Sequence, residues 1–251
     1  MNALIVGTGD TTGHFLDNLP PSYLLIDDGF LIDKIQFPRR RKITFLDFNK
    51  HSFNPLTRIN YETASNFVGI INAIFPAGEN TLTKQNSSTI LLEALLDNPK
   101  HLSTLIPAEK DTMDAHNKIK RLLLSPVLER FLTRPTNFSL SGILIARMAG
   151  LTDFDRFAIA NILVANYKGH IVIPDFGFYA CPFHASLTER LTAGVKFLDE
   201  LDPKLRRAAL LIPNKVPCRT TTEDAETLAG YAGIIRGTNE YNDFLADAVG
   251  T

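Results

Sequence analysis

Ala3–Phe15 reads ALIVGTGDTTGHF. A short apolar strand, Ala3–Val6, runs into a Gly-rich turn, and an amphipathic segment follows. This layout sets backbone N–H groups and a helix N-terminus at the C-terminal edge of a sheet, where a phosphate group is bound by main chain. Gly7, Thr8, Gly9, Asp10, Thr11, Thr12, Gly13 and His14 are therefore the candidate ligand-binding residues. A phosphate loop equipped for catalysis reads GxxxxGK[ST], with Lys on the β/γ-phosphates and a hydroxyl on Mg²⁺. With Gly13 as its last glycine, His14 takes the Lys position and Phe15 the hydroxyl position. The span from Gly7 to Gly13 is also one residue longer than that pattern. A cradle is laid out, but its catalytic side chains are missing.

The rest of the composition narrows the field. With 251 residues and 45% hydrophobic content, the chain can bury a substantial core. Lys and Arg total 26 against 27 Asp and Glu, so bulk charge points to no nucleic-acid or acidic partner. The densest basic run, RRRK at Arg39–Lys42, reads as a solvated turn before a strand. Two cysteines, Cys181 and Cys218, make no disulfide framework and fit a reducing, cytoplasmic setting. No apolar run reaches membrane-span length, and the N-terminus lacks the basic start of a signal peptide.

Strand-like runs at Ala3–Val6, Tyr23–Asp27 and Ile43–Phe48 open the chain. From Tyr61 the pattern turns helical, with apolar stripes at Ala64–Ile74, Thr89–Leu96 and Ile119–Leu132 punctuated by Pro76, Pro99, Pro107 and Pro135. Strand–helix alternation resumes at Gly142–Met148. A helix from Asp153 to Tyr167 follows, apolar nearly all round and so expected to be buried. His170–Pro174 reads as a strand, Ala185–Leu191 as a short helix, Gly194–Leu198 as a strand. Pro203–Leu211 reads as a helix and Lys215–Arg219 as a strand. Thr220 with Glu223, or Thr221 with Asp224, caps a final helix to about Tyr231. The expectation is an α/β fold, a mostly parallel sheet covered on both faces. Its core is residues 1–60 and 135–251, and 61–134 form an all-α insertion.

This order of parts resembles the FtsK/HerA superfamily of P-loop motors, in particular TraG/TraD-type conjugative coupling ATPases. The matching pieces are GTGDTTGHF, LLIDDG, FLDFNKHSFNPL, the helical domain, GILIARM with DRFAIANILVANY, IVIPDF, GVKFLDELDPKLRRAALL and KVPCRTTTEDAETLAGYAG. FNPL and EDAETLA are the most specific of these. The resemblance implies a P-loop fold in which Ala3–Val6 lies centrally, beside Gly142–Met148 and His170–Pro174. It makes Asp175 the residual Walker B aspartate. It also puts Phe176 where the family carries its general-base Glu, and no clear counterpart of the polar sensor stands near Leu198–Glu200.

Phosphoryl transfer depends on positioning and charge neutralisation, so joint loss of the Lys, the hydroxyl and the Glu implies a pseudo-ATPase with no confident catalytic residue besides Asp175. ATP or ADP would bind weakly, with no resident cofactor or metal otherwise. The implied partners are further copies of the chain or a catalytically intact homologous ATPase, with DNA reached only within an assembly.

A second reading takes GTGDTTG as a long dinucleotide fingerprint, with Asp27 on a ribose 2′-OH in an NAD(P)-binding Rossmann oxidoreductase. Three further features are weighed. Cys181 and His184 have CxxH spacing but lack two further zinc ligands. Arg206 and Arg207 suit a solvated helix face or a subunit contact. Arg147, inside an apolar strand, calls for a partner at Asp153, Asp155 or a strand-end Asp.

Overall fold

The structure is a computed structural model describing residues 2–17, 19–29, 31–35, 42–75, 81–97 and 101–250. The chain divides into two compact units, residues 1–45, 141–149 and 168–251, and residues 46–140 and 150–167. Arg39–Arg41, most of the basic run, lie outside the described residues.

In the first unit the strands are β1 (Ala3–Val6), β2 (Tyr23–Asp27), β3 (Ile43–Leu46), β4 (Ile143–Arg147), β5 (His170–Ile173), β6 (Leu191–Val195) and β7 (Asn214–Pro217). They form one parallel sheet in the order β3-β4-β2-β5-β6-β1-β7. Its strands β1, β2 and β6 are buried along their whole length. Continuous apolar runs such as ALIV and YLLI are what a sheet covered on both faces requires. Alternate residues Ala3, Ile5, Tyr23, Leu25, Ile143, Ile145 and Val172 share one core with Phe15, Leu31 and Ile32. The helices of this unit are α1 (Thr12–Asp17), α7 (Phe176–Tyr179), α8 (Pro203–Leu210), α9 (Thr222–Ala232) and α10 (Asn239–Val249).

The second unit holds α2 (Tyr61–Ile74), α3 (Thr81–Leu96), α4 (Met113–Leu122), α5 (Pro126–Thr133) and α6 (Asp153–Asn166). Asn60 and Thr63 close a capping box on α2. Residues Ala158–Ala165 of α6 are buried, as its all-round apolar sequence requires. Asn54 of FNPL accepts from Leu56 N–H at 2.9 Å and starts a short 3₁₀ turn at Pro55.

Several expectations need correction. β1 lies between β6 and β7, one place from the edge, and β6 separates it from β5. The strand expected at Gly194–Leu198 runs instead over Leu191–Val195, preceded by two 3₁₀ turns at Pro182–Ser186 and Thr188–Arg190 in place of a helix. Pairing with β1 and β5 falls on residues 191–195, with Gly194 inside the strand. A Cβ there would come within 2.3 Å of the Pro174 carbonyl and 2.7 Å of the Phe15 ring, so the glycine belongs inside the sheet under both. Arg147 is more than half exposed and sits 3.6 Å from Asp33, so it is not a buried charge. Asp155 is taken by Ser125 and Thr152. Helix α10, capped by Thr238, has no counterpart among the elements expected from sequence.

Two histidines make this fold acid-sensitive. Burial holds His184 down to about 3 and His170 down to about 4. His184 accepts from Cys181 N–H at 3.3 Å, and His170 lies 2.9 Å from the Thr192 hydroxyl. Both are therefore neutral in the folded state and charge freely once unfolded. Their contribution is complete above the unfolded value of about 6.5 and is lost as pH falls toward 4 and then 3. For His184 alone the expected loss is about 2 kcal/mol at pH 5. Denaturant titrations between pH 7 and 5 should show that slope, and His184→Gln should reduce it.

Candidate functional site

The Gly-rich turn is built against the far end of the chain. Gly7 N–H donates to Val195 O at 2.9 Å, continuing the β1–β6 ladder. Cys218 N–H donates to Val6 O at 2.7 Å, continuing β1–β7. Beyond the ladder, Thr8 N–H donates to Arg219 O at 3.2 Å and Gly9 N–H to Cys218 O at 2.9 Å. The Thr8 hydroxyl also donates to Arg219 O at 3.2 Å. Gly7 permits this contact, because at its φ of +138° a Cβ would stand 1.9 Å from the Cys218 carbonyl oxygen. Among the described residues, Arg219 is the one non-glycine with positive φ, at 54°. Such a backbone costs about 1–2 kcal/mol in a non-glycine residue, and here it turns the Arg219 carbonyl onto the loop.

The start of α1 is occupied as well. Asp10 Oδ1 accepts from Thr12 N–H at 3.0 Å, so the first amide of α1 is bonded to the chain's own carboxylate. The Thr12 hydroxyl and N–H hold the Asp10 carboxyl below the usual carboxylate range, so it is an anion at neutral pH. Thr12 also accepts from Lys34 Nζ at 2.9 Å.

Below the loop is a cleft of about 300 Å³ lined by Ile5, Gly7, Thr8, Gly9, Thr11, Phe15, Ile26, Asp28, Pro174, Asp175, Gly194, Val195 and Lys196. Gly7, Thr8, Gly9 and Thr11 of the loop and Asp175 thus line one cavity. Asp10, Thr12, Gly13 and His14 do not line it. Phe15 is 1% exposed and belongs to the sheet core. Phe176, which follows Asp175, is buried with its ring centroid 5.4 Å from His184.

Other candidates resolve into structure. Asp27 is fully buried and accepts from Leu31 N–H at 2.9 Å and Ile32 N–H at 3.1 Å, so it caps its own turn. β2 is separated from β1 by β5 and β6, whereas a Rossmann half places its first two strands side by side. Both facts tell against the dinucleotide reading. Arg206 Nε donates to Leu198 O at 2.8 Å. Burial pushes the Cys181 thiol up to about 12, and among the described residues no group of His, Cys, Asp and Glu is arranged to hold a metal. Sequence reasoning misses Asp28, Lys196 and the Cys218–Arg219 carbonyls. The first stands beside Asp27 in LLIDDG; the carbonyls carry no side-chain signature at all.

No family model and no curated protein match the chain. Solved structures do. VirB4 of Thermoanaerobacter pseudethanolicus superposes with a TM-score of 0.60 at 12% identity, over 96% of this chain and 82% of that one.

The chain has a P-loop NTPase-like α/β fold.

The plasmid coupling protein TrwB, in complex with the non-hydrolysable ATP analogue ADPNP, gives 0.50 at 12% identity over 92% of this chain and 68% of its own. An unbound form of this bacterial conjugative coupling protein, lacking its N-terminus, gives 0.51 at 12% identity over 92% and 67%. In this P-loop fold the cleft lies beneath the loop at the C-terminal end of β1.

The glycines of the loop should respond in opposite ways to alanine. Gly7→Ala drives a Cβ into backbone and should cost more than about 3 kcal/mol or prevent folding. Gly13 sits in α1, and a Cβ added there would meet nothing within 4 Å, so Gly13→Ala should be neutral or stabilising by up to about 1 kcal/mol. Phe15→Thr should cost about 3 kcal/mol or more, because it empties a core position. Urea unfolding of the three variants checks the order.

Proposed function

We propose that the chain is a catalytically silent relative of the conjugative coupling and type IV secretion ATPases, serving as an accessory or structural subunit. The observation that carries this reading is the Asp10 carboxylate on Thr12 N–H. A triphosphate reaching from the cleft to the start of α1 would meet a like charge beside it, with the amides of Thr8 and Gly9 already bonded to carbonyls. The side chains that would repay that repulsion are absent. His14 stands outside the cleft, Phe15 replaces the metal-binding hydroxyl, and Phe176 replaces the carboxylate base. Transfer of a phosphoryl group needs these charges in place together.

A P-loop fold without its chemistry has value as a scaffold, which favours assembly with further copies of the chain or with a catalytically intact homologous ATPase. Contact with DNA would then come from residues that several subunits bring together, since bulk charge is close to balanced at −1.

Purified protein should show no ATP turnover above background with or without DNA, and calorimetry should find Mg–ATP binding weaker than about 1 mM. Asp10→Asn should tighten ATP binding several-fold by removing the built-in charge, still without turnover. Wild-type turnover that Asp175→Ala abolishes would contradict the proposal.

A further inference from the structure

Lys196 is the one cation that lines the cleft among the described residues. It follows Val195, whose carbonyl accepts the Gly7 N–H, so β6 delivers it opposite the start of the loop. The turn that carries it is fixed from several sides. Its own N–H donates to Glu200 Oε2 at 3.2 Å. Leu198 N–H donates to Asp224 Oδ2 at 3.1 Å, and Arg206 Nε holds the Leu198 carbonyl at 2.8 Å. Glu200 in turn lies against Gly177, where a Cβ would come within 2.5 Å of its carboxylate. That contact ties the turn bearing Lys196 to the helix that Asp175 begins.

The Lys196 ammonium takes no part in the ion pairs formed among the described residues. It is exposed at the rim of a cavity whose floor is Ile5, Phe15, Ile26, Pro174 and Val195. A lysine on a fixed turn beside such a floor is a point charge for a small anion. Two carboxylates limit how much negative charge can enter. Asp28, which accepts from the Tyr179 hydroxyl at 2.6 Å, and Asp175 line the same cleft. One ammonium against two carboxylates leaves the lining net negative, so a polyanion is opposed and a single anionic group is held only where it sits on the Lys196 ammonium, away from both carboxylates.

We propose that Lys196 binds a small ligand carrying one phosphate or carboxylate group on an apolar body, the cation reaching this cleft from β6 and not from α1. The inference rests on the reading of the cleft as catalytically silent, and binding tests it separately from turnover.

Calorimetry with adenosine monophosphate, benzoate and inorganic phosphate is the experiment. Adenosine monophosphate or benzoate should bind, the tighter of the two identifying the anionic group, and inorganic phosphate should bind more weakly because it leaves the floor uncovered. Lys196→Gln should weaken binding by about tenfold or more, with the melting temperature unchanged, and His14→Ala should leave binding as in wild type. High salt should weaken the wild type more than Lys196→Gln. The proposal is overturned if neither adenosine monophosphate nor benzoate binds the wild type, if Lys196→Gln binds as well as wild type, or if the loss follows His14→Ala. ATP turnover by the wild type would refute the silent reading alone and leaves these binding outcomes as they stand.

Discussion

Two backbone hydrogen bonds, Thr8 N–H to Arg219 O and Gly9 N–H to Cys218 O, join the first turn of the chain to a segment near its far end. Much of the first unit depends on them. They extend the β1–β7 pairing past the end of both strands and fix the shape of the loop above the cleft. They also set where the chain leaves β7 for α9. Thr220 N–H donates to Ala248 O at 2.9 Å one residue beyond, so the same segment seats α10. Gly7 and the left-handed Arg219 are the two backbone conformations that make the contact possible.

The consequence for chemistry is electrostatic. A Gly-rich turn at the end of a parallel strand presents amide donors to an anion. Here Thr8, Gly9 and Thr12 have acceptors within the chain, and the acceptor at Thr12 is itself a carboxylate. Phe15 lines the cleft and belongs to the hydrophobic core. On the proposed reading the fold is kept while the cavity favours apolar surface with few charges over polyanion and metal.

Much of this is legible in the sequence, for identifiable reasons. Runs such as ALIV, YLLID and HIVI announce strands buried on both faces, and the all-round apolar helix at Asp153–Asn166 announces its own burial. The presence of His14 and Phe15 after Gly13, where the GxxxxGK[ST] pattern has Lys and a hydroxyl, is read from the sequence alone. The strand order is not, because it depends on pairings between segments far apart in the chain. The apolar stretch from Leu191 to Leu198 reads as a strand over its second half, whereas its pairing with β1 and β5 falls on its first half, where Gly194 lies under the Pro174 carbonyl and the Phe15 ring. The Cys218–Arg219 contact uses carbonyl oxygens that every residue possesses. Asp10 reads in sequence as a member of a ligand cradle, and its role as a built-in anion depends on a single 3.0 Å hydrogen bond.

The central claim is that the loop amides are committed to acceptors inside the chain. Amide resonances of Thr8, Gly9 and Thr12, followed by NMR through a titration with Mg–ATP, test it most directly. The account predicts slow hydrogen exchange at all three amides in the free protein and no saturable shift as nucleotide is added. Fast exchange in the free protein, with large saturable shifts of these amides on adding Mg–ATP, would contradict it.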